Sequence, residues 1–529
     1  MKDILYTKDY ETFTVGSVTL KGSNSVKHAL PGDIVEVDNE RVNKIIIRSN
    51  HTGLIGTLEV SSKSKYGYTS RSVPIYLFVP WNESYPPFYV GSSYKVINPG
   101  KNVIAKVDFE SWNEFSNCPR GICREIIGEC GDVKAEEKAL VLHTHPIKWK
   151  NDHDLLPRVP LSQGGSCLNA NTFHVDPAGC KDIDDAISIW MDGSVLECRI
   201  HIADVASLLS NNSILWSAEL LGETLYVDGQ IVSPMFPTAV QDACSLTPGM
   251  ERSTLTLAIT FNVSTKSIVK KWWIQQDIIV KKSYTYYTIM NTIDGDLLQM
   301  LASGLTSRTV TDPHEWIAEL MLFYNKEAAK ILQQFGSGIL RRHSEPDYEL
   351  LSNLEKQSIA PVFLAFKAGE YCDATASNTS HWGIKENAYC HATSPIRRWV
   401  DCINQGILIK SLFIPEFVVP KYNIESVNLK SHQTKIFERD LFFMKMLLEN
   451  PAQRVNGSII TAGPKKAKIW VPEWKRCVSL YEYMDVGDKI QLSVYTNPSK
   501  RNWKRKLILE VVDDLTVSNY EPVKIEDSS

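Results

Sequence analysis

Short apolar runs that alternate with polar residues fill the first 150 or so positions of the chain, and turn residues separate them. Short strands at close spacing predict small β-barrels, and two of them fit in this region. The pattern returns over 455–512, with turns at Gly457, Gly463 and Gly487, so this segment is a third candidate barrel. The clearest predicted strands near the amino terminus are 32–37, 44–47, 73–79 and 103–107.

Between about residues 170 and 445, strand patterns mix with longer helical ones. Apolar residues at helical spacing predict helices over 315–332 and 434–448, and Pro451 ends the second of these. A loop rich in Pro, Ser and Gly over 157–167 predicts a domain boundary ahead of this region. The pattern therefore predicts an α+β multidomain chain, with a mixed α/β central domain flanked by small β-barrels.

Composition narrows the class of protein. A chain of 529 residues with 43% apolar residues has room for about three to five ordinary globular domains. No run of about 18 apolar residues is present and the amino terminus lacks the apolar core of a signal peptide, so we expect no membrane span. Eleven scattered cysteines, an odd number, predict reduced thiols and an intracellular protein, cytoplasmic in preference to nuclear.

The net charge of −4 means that a polyanionic partner must meet a local basic surface. One basic stretch lies near the carboxyl end, where Trp470, Trp474 and Trp503 are interleaved with cations. Positive charge and flat aromatic faces suit single-stranded nucleic acid, but core tryptophans under a solvated strand face would give the same pattern. The cations are Lys465, Lys466, Lys468, Lys475, Arg476, Lys500, Arg501, Lys504, Arg505 and Lys506.

The densest cluster of chemistry is a set of four aspartates within ten residues, at Asp176, Asp182, Asp184 and Asp185. Carboxylates packed this closely repel each other, and a cation among them reverses the sign of that energy. Hard oxygen ligands favour Mg²⁺ or Mn²⁺ over zinc. An EF-hand calcium loop does not fit, because counting from Asp182 places Gly193 where the twelfth-position glutamate should be. The remaining alternative is a solvated acidic loop.

A second informative segment runs from Ala392 to Trp399. Ser394 suits a helix N-cap and Pro395 suits the first helical position, which predicts a helix starting there with Arg397 and Arg398 in its first turn. Cations oppose the helix dipole at that end, and a bound phosphate would resolve the conflict. A structural salt bridge for one of the two arginines is the alternative.

Together these segments resemble the RNB catalytic domain of the exoribonuclease family that includes ribonuclease II, ribonuclease R and Dis3 (Rrp44), and the Dis3-like branch most closely. Several blocks carry the resemblance in the expected order over about 270 residues. They are 174–185 (His-Val-Asp-Pro to Asp-Ile-Asp-Asp), 201–205, 234–249, 318–325, 341–346 and 391–398 (His-Ala-Thr-Ser-Pro-Ile-Arg-Arg).

The flanks resemble the OB-fold domains of the same family. The implied domains are cold-shock-like barrels over 1–60 and 61–150, the RNB domain over 165–450, an S1-like barrel over 452–516 and a disordered tail over 517–529. The chain departs from the family in lacking a PIN domain, so exosome association is not expected. It also has Gln405-Gly406 where the family usually has a His-Arg pair, which we expect to loosen a local contact, and Trp399 where a tyrosine is usual.

The resemblance implies a processive, hydrolytic 3′→5′ exoribonuclease that degrades single-stranded RNA to nucleoside 5′-monophosphates. It also implies that the enzyme depends on two Mg²⁺ ions, for which Mn²⁺ can substitute. The protein would be a monomer without a membrane partner. Alternatives are a non-catalytic RNA-binding member of the family and a nuclease that acts on DNA. The implied sites are the metal ligands Asp176, Asp182, Asp184 and Asp185, the catalytic residues Asp184, Arg397 and Glu438, and the RNA-binding residues Tyr226, Tyr287, Arg397 and Arg398. Judged alone, Glu438 would be a surface helical residue and the two tyrosines half-buried packing.

Overall fold

The computed structural model describes residues 1–95, 100–147, 149, 168, 170–210, 212–357, 361–482, 484–497 and 500–512. The predicted tail and the whole of the predicted boundary loop, 157–167, lie outside these residues. The chain divides into two compact units, each built from separate stretches of sequence. The first unit contains 1–146, 348–365 and 436–529, and the second contains 147–347 and 366–435.

The first unit begins with a five-stranded antiparallel sheet. Its strands are β1 (Lys2–Thr7), β2 (Thr12–Val15), β3 (Val18–Lys21), β4 (Ile34–Asp38) and β5 (Arg41–Ile47). They lie in the order β3-β2-β1-β4-β5. Successive strand residues point to opposite faces, and the alternation places Leu5, Phe13 and Leu20 in a buried core.

A closed barrel follows. Its elements are β6 (Leu54–Leu58), β7 (Ile75–Pro80), β8 (Phe88–Gly91), β9 (Val103–Ser111) and β10 (Arg120–Glu129), with helix α1 (Val133–Thr144) packed on it. A Cβ on Gly56 would lie 2.4 Å from the carbonyl oxygen of Val79, so the backbone of β7 leaves no room for a side chain at this position of β6. Because β6 pairs with β7 and β9, the barrel begins before the predicted boundary at residue 60. The apolar pattern of a strand does not identify its partner strand, and the domain bounds given from the sequence stay predictions.

The second unit is built on a six-stranded sheet. Its strands lie in the order β17 (Ser267–Ile279), β16 (Glu251–Asn262), β13 (Val195–Ala203), β12 (Asp185–Asp192), β11 (Thr172–Val175) and β18 (Lys282–Tyr284). One face carries apolar residues such as Ile187, Ile200 and Leu257, which are buried in the main core. Between β13 and β16 the chain forms short helices and a separate two-stranded hairpin. These elements are α2 (Val205–Leu208), α3 (Ser213–Ala218), β14 (Leu225–Val227), β15 (Gln230–Ser233) and α4 (Thr238–Cys244).

Longer helices follow the sheet along the chain, and the two predicted ones are confirmed. Helix α6 begins after Asp312, whose carboxylate accepts the amide of His314, and ends at Gly336 in the left-handed conformation. The helix predicted over 434–448 is the second half of α9. The elements are α5 (Ile293–Thr306), α6 (Pro313–Phe335), β19 (Ile339–Arg342), α7 (Tyr348–Gln357), β20 (Glu370–Asp373), α8 (Trp399–Leu412) and α9 (Ile424–Glu449).

The third predicted barrel region is a five-stranded antiparallel sheet in the first unit, with the order β23-β22-β21-β24-β25. Its elements are β21 (Gln453–Ala462), β22 (Ala467–Val471), β23 (Arg476–Leu480), β24 (Lys489–Thr496), α10 (Trp503–Lys506) and β25 (Leu507–Val511). Trp470, Trp474 and Trp503 are all buried. The core-tryptophan alternative therefore describes them, and they are not exposed stacking surfaces.

The predicted fold class, a mixed α/β domain together with small β-barrels, is confirmed. Short 3₁₀ turns also occur at Ser23–Ser25, Val362–Ala365, Trp382–Ile384 and Pro472–Trp474. In the part of the chain that the structure describes, no helix has both the length and the apolar character needed to cross a membrane.

Candidate functional site

The four aspartates line one open cavity of about 400 Å³ in the second unit. Residues from four distant segments meet there: the aspartate loop, the hairpin β14–β15, the segment after β18 and the turn before α8. The remaining lining residues are Pro177, Ala178, Gly179, Cys180, Lys181, Tyr226, Gly229, Gln230, Ile231, Tyr286 and Arg397. The structure thus brings together six of the predicted site residues: the four aspartates, Tyr226 and Arg397.

Asp176 and Asp185 stand at the ends of two neighbouring strands. Asp176 follows β11, its amide donates to the carbonyl oxygen of Tyr284 at 3.1 Å, and its carboxylate lies 2.8 Å from Nδ1 of His174. Asp185 is the first residue of β12, opposite Ile202 of β13. Burial and the charges of Asp176 and Asp184 raise the pKa of Asp185 well above its ordinary value.

Asp184 is almost completely buried beneath the arginine turn. Its carboxylate accepts the amide of Ile396 at 2.8 Å and the Nε–H of Arg397 at 3.2 Å. Burial raises the pKa of Asp184 to about 7, although the arginine and the amide act in the opposite direction. The interactions with Ile396 and Arg397 connect the aspartate loop directly to residues more than 200 positions later in the chain.

Asp182 is held from the hairpin. The hydroxyl of Tyr226, on β14, donates to its carboxylate. Burial and this acceptor raise the pKa of the Tyr226 phenol above its ordinary value. On the other side, Sγ of Cys180 lies 3.7 Å from Oδ1 of Asp182, and burial with the nearby carboxylates raises the pKa of that thiol to about 12.

The helix predicted to start at Ser394 instead starts at Trp399, and both arginines precede it. Arg398 is extended because the chain there pairs with the segment before β14: the amide of Trp399 donates to Gly222 and the amide of Thr224 donates to Arg397. The two guanidinium groups differ. Arg397 is 47% exposed, whereas Arg398 forms a two-pronged salt bridge with the fully buried Asp401. The predicted clash with the helix dipole does not arise.

Two adjacent tyrosines follow β18, and the one that lines the cavity is Tyr286, not the predicted Tyr287. Tyr287 is 80% exposed, whereas Tyr286 lines the cavity and stacks on His314 with ring centroids 3.7 Å apart. Burial and the charges of Asp176 and Asp185 raise the pKa of Tyr286 to about 12. Gln230 at the hairpin tip is a second lining residue that the sequence did not single out. The turn signal Asp228-Gly229 could have drawn attention to it.

Glu438 lies on the part of α9 that belongs to the first unit, and the aspartates belong to the second. Its charge acts there on Arg476 of β23, whose guanidinium lies over the ring of Phe442. The roles predicted for Glu438, Tyr287 and Arg398 toward RNA stay predictions.

The chemistry of the cavity fits a divalent cation. Its carboxylates are hard oxygen donors, and burial with mutual repulsion destabilises their charged forms in a way that a cation would reverse. Within the described residues, however, no three His, Cys, Asp or Glu side chains already meet at metal-ligand spacing. Protein donors contact three of the aspartates instead: His174, Tyr226 and Arg397. The donor set therefore fits, and binding would require local rearrangement of these partners.

Comparison with known proteins agrees with this geometry. The RNB domain family model matches residues 168–303 and 302–414, and the model of the Dis3-like cold-shock domain 2 matches 75–145. The chain is 22% identical to DIS3-like exonuclease 2 of Schizosaccharomyces pombe over 70% of its length and 53% of that protein. It is 23% identical to the mouse exosome complex exonuclease RRP44 over 69% of its length and 46% of that protein. The chain therefore spans about half the length of these curated relatives.

Solved structures show the same fold. A ribonuclease R from Mycoplasma genitalium, in complex with ribose-methylated single-stranded RNA, matches with a TM-score of 0.73 at 16% identity and covers 97% of this chain and 100% of its own. Yeast Ssd1, described as a pseudonuclease, matches with a TM-score of 0.61 at 15% identity over 95% of this chain and 80% of its own. The chain therefore contains an RNB domain, matched over 168–414, and a Dis3-like second cold-shock domain ahead of it, matched over 75–145.

Proposed function

We propose that the chain is a metal-dependent hydrolytic exoribonuclease that degrades single-stranded RNA processively from the 3′ end and releases nucleoside 5′-monophosphates. The observation that carries this proposal is the convergence of four aspartates and Arg397 on one open cavity. Carboxylates that can hold a cation then stand beside a guanidinium that can stabilise charge on a phosphate. Curated relatives that are named exonucleases support the same reaction class.

Each side chain has a part that follows from its contacts. Asp184 accepts from Nε of Arg397, and Oγ of Ser394 accepts from one of its terminal nitrogens at 2.9 Å. These bonds fix the guanidinium, and its remaining N–H groups can donate to phosphate oxygens. The rings of Tyr226 and Tyr286 line the cavity and can pack against the terminal nucleotides. Asp176 and Asp185, with Asp182, would hold Mg²⁺ or Mn²⁺, which activates water and stabilises the leaving oxygen when bound.

Single-stranded RNA is the proposed substrate because two tyrosine rings line the cavity and can stack on unpaired bases. The ribonuclease R structure with the same fold was determined with single-stranded RNA. Contacts to 2′-hydroxyl groups would distinguish RNA from DNA. Matched RNA and DNA oligonucleotides of one sequence test this choice, and equal rates on both would contradict RNA preference.

The reaction itself is tested with one RNA oligonucleotide labelled at either end. Under Mg²⁺ or Mn²⁺ we expect 3′-labelled RNA to release labelled mononucleotide at once, while 5′-labelled RNA shortens to a small end product without distributed intermediates. Chelation of the metal should stop both. Asp185→Asn should abolish cleavage, and Asp192→Asn is the matched control because it lies at the opposite end of the same strand. Internal cleavage products, or cleavage that persists with chelator, would contradict the proposal.

A second candidate is a non-catalytic RNA-binding protein, favoured by the structural match to the pseudonuclease Ssd1. Retention of all four aspartates and of Arg397 around one cavity favours the enzyme. The two candidates separate in the same assay, since a non-catalytic member binds labelled RNA and leaves it intact under every metal tested.

A further inference from the structure

Gln405 is a fully buried glutamine on α8 that hydrogen-bonds the segment next to the aspartates with both ends of its amide. Its Nε2 donates to the carbonyl oxygen of Ala203 at 2.8 Å, and its Oε1 accepts the amide of Ala206 at 3.0 Å. Both bonds join residues about 200 positions apart and are buried, so their loss would leave unsatisfied backbone groups. The sequence analysis expected this departure from the family's usual pair to loosen a local contact. In the structure Gln405 instead makes two buried hydrogen bonds.

Ala203 is the residue through which Gln405 reaches the catalytic cluster. Its amide donates to the carbonyl oxygen of Asp184 at 2.9 Å, at the end of β13 where the pairing with β12 finishes. Gln405 therefore fixes the backbone of Ala203, and Ala203 fixes the backbone of Asp184.

Helix α8 also holds the side chain of Asp184 by a second route. Asp401 accepts the amide of Ser394 at 2.9 Å and binds Arg398, which fixes the turn that carries Ile396 and Arg397. That turn binds the carboxylate of Asp184. The two routes close a ring of hydrogen bonds in which one helix holds Asp184 by its backbone and by its side chain.

Gly406, the next residue along α8, also lies among packed neighbours. A Cβ built on it would lie 3.7 Å from Cβ of Ala206, and 3.3 and 3.4 Å from the side chains of Val419 and Phe417. The tightest of these distances is the one to Val419, whereas 3.7 Å to Ala206 is an ordinary van der Waals contact.

We propose that Gln405 is a positioning residue: through Ala203 it keeps the Asp184 carboxylate and the Arg397 guanidinium in register across the cavity. That Gln405 positions Asp184 follows from the hydrogen bonds alone. That its loss slows catalysis rests on the proposed function. A misplacement of about 1 Å at a catalytic group can lower a rate by as much as 100-fold. Removal of the amide should therefore lower kcat and leave KM for RNA nearly unchanged.

The test compares Gln405→Leu, Gln405→Glu and a control, Gln333→Leu. The control also removes a glutamine side-chain hydrogen bond from a helix of the same unit, between Nε2 and Thr379 at 2.9 Å, away from the cavity. We expect Gln405→Leu to lower kcat about tenfold or more with KM within about twofold, and Gln333→Leu to change neither. A protonated glutamate can donate to Ala203 whereas an ionised one cannot, so Gln405→Glu should approach wild-type kcat at low pH and lose it as pH rises, relative to wild type at each pH.

Hydrogen exchange supplies a readout that needs no catalysis. In Gln405→Leu we expect faster exchange at the amides of Ala203, Ala206 and Ile396, with no change at the far end of the β16–β17 pairing, where Asn262 lies opposite Ser267. Wild-type kcat in Gln405→Leu, or a constant ratio of Gln405→Glu to wild type across pH, would overturn the positioning role. Unchanged exchange would overturn the ring itself. Wild-type protein that fails to cut RNA, with faster exchange in the variant, would refute the proposed function and leave the positioning of Asp184 supported.

Discussion

At the scale of single residues, the aspartates differ in what holds them, so equal substitutions should have unequal consequences. Asp184 is bound by an amide and a guanidinium, Asp182 by a phenol, and Asp176 by an imidazole. The sequence was sufficient to find these carboxylates, because four of one charge in ten positions is rare in a folded segment. The family resemblance selected Tyr287, whereas the ring that lines the cavity is Tyr286, because the position of each ring depends on the turn that follows β18 and on stacking against His314.

Asp184→Asn should separate RNA binding from hydrolysis. The amide oxygen of Asn can still accept the amide of Ile396, so the turn and the surrounding surface survive, but the negative charge that orients Arg397 is lost. We expect RNA affinity within about twofold of wild type and cleavage at least about 100-fold slower. Filter binding and single-turnover cleavage measure the two quantities, and normal cleavage under Mg²⁺ would show that Asp184 is dispensable.

The adjacent arginines should behave as a catalytic and a structural residue. Replacement of Arg398 by Ala leaves the fully buried Asp401 without its charged partner, so we expect a loss of about 3 kcal/mol in the free energy of unfolding. Replacement of Arg397 by Ala also removes the charged partner of a buried carboxylate, but that partner is half-exposed and binds Asp184 through one N–H only. We therefore expect a smaller loss, about 1 to 2 kcal/mol, together with strongly slowed cleavage. Chemical denaturation and RNA cleavage on both variants check this. Equal stability losses would show that the two side chains are not distinguished in this way.

At the scale of elements, helices with strong repeats were predictable, and the start of α8 was not. Local rules favour Ser394 as N-cap, yet the residues before Trp399 pair with the segment that leads into β14. That pairing partner lies about 175 positions earlier, so no local signal reports it. The same limit applies to β6, whose partners decide which barrel it joins. Local pattern predicts that a strand or helix exists, and tertiary pairing sets its bounds.

One element carries an acid-sensitive group that the sequence did not identify. His201 of β13 is fully buried and hydrogen-bonded to Ser188 on β12 at 2.9 Å and Thr256 on β16 at 2.8 Å. Burial, with a smaller effect from Arg199, lowers the pKa of His201 from 6.5 to about 3. In the unfolded chain this imidazole binds a proton below about pH 6.5, whereas in the folded protein it binds one only near pH 3. The free energy of unfolding therefore decreases as pH falls from about 6.5 to about 3.

We therefore expect His201→Gln to weaken the acid sensitivity of the second unit. The difference in free energy of unfolding between wild type and variant should change by about 1.4 kcal/mol per pH unit below pH 6.5, in the direction that favours the variant at lower pH. Denaturant unfolding at several pH values, followed by the fluorescence of tryptophans in that unit, measures this. His432→Gln, exposed on α9, controls for loss of a histidine as such. Parallel curves for wild type and His201→Gln would contradict the prediction.

At the scale of the whole molecule, the low net charge means that a polyanion such as RNA must bind to a local basic surface. A net charge of −4 gives no overall attraction for RNA. Screening at physiological salt also limits the range over which a surface charge acts to about 8 Å. Binding must therefore come from local clusters. In the β21–β25 sheet the tryptophans are buried in the core, while Lys465 and Lys466 are exposed and Lys466 lies over the exposed ring of Tyr481 at 5.7 Å.

This distribution predicts a charge effect that depends on position and not on total charge. Changing Lys465, Lys466 and Lys468 to Gln takes the net charge from −4 to −7, and so does the same change at Lys266, Lys367 and Lys385 of the second unit. Each phosphate contact contributes about −0.7 to the slope of log affinity against log salt for single strands, so the first triple should lower that slope in magnitude by about 2. The second should leave the slope nearly unchanged. Fluorescence anisotropy of labelled RNA at four or more salt concentrations measures both slopes. Because the two triples carry identical net charge, an equal loss in both would mean that RNA responds to the overall field, and the β21–β25 surface would not be the binding cluster.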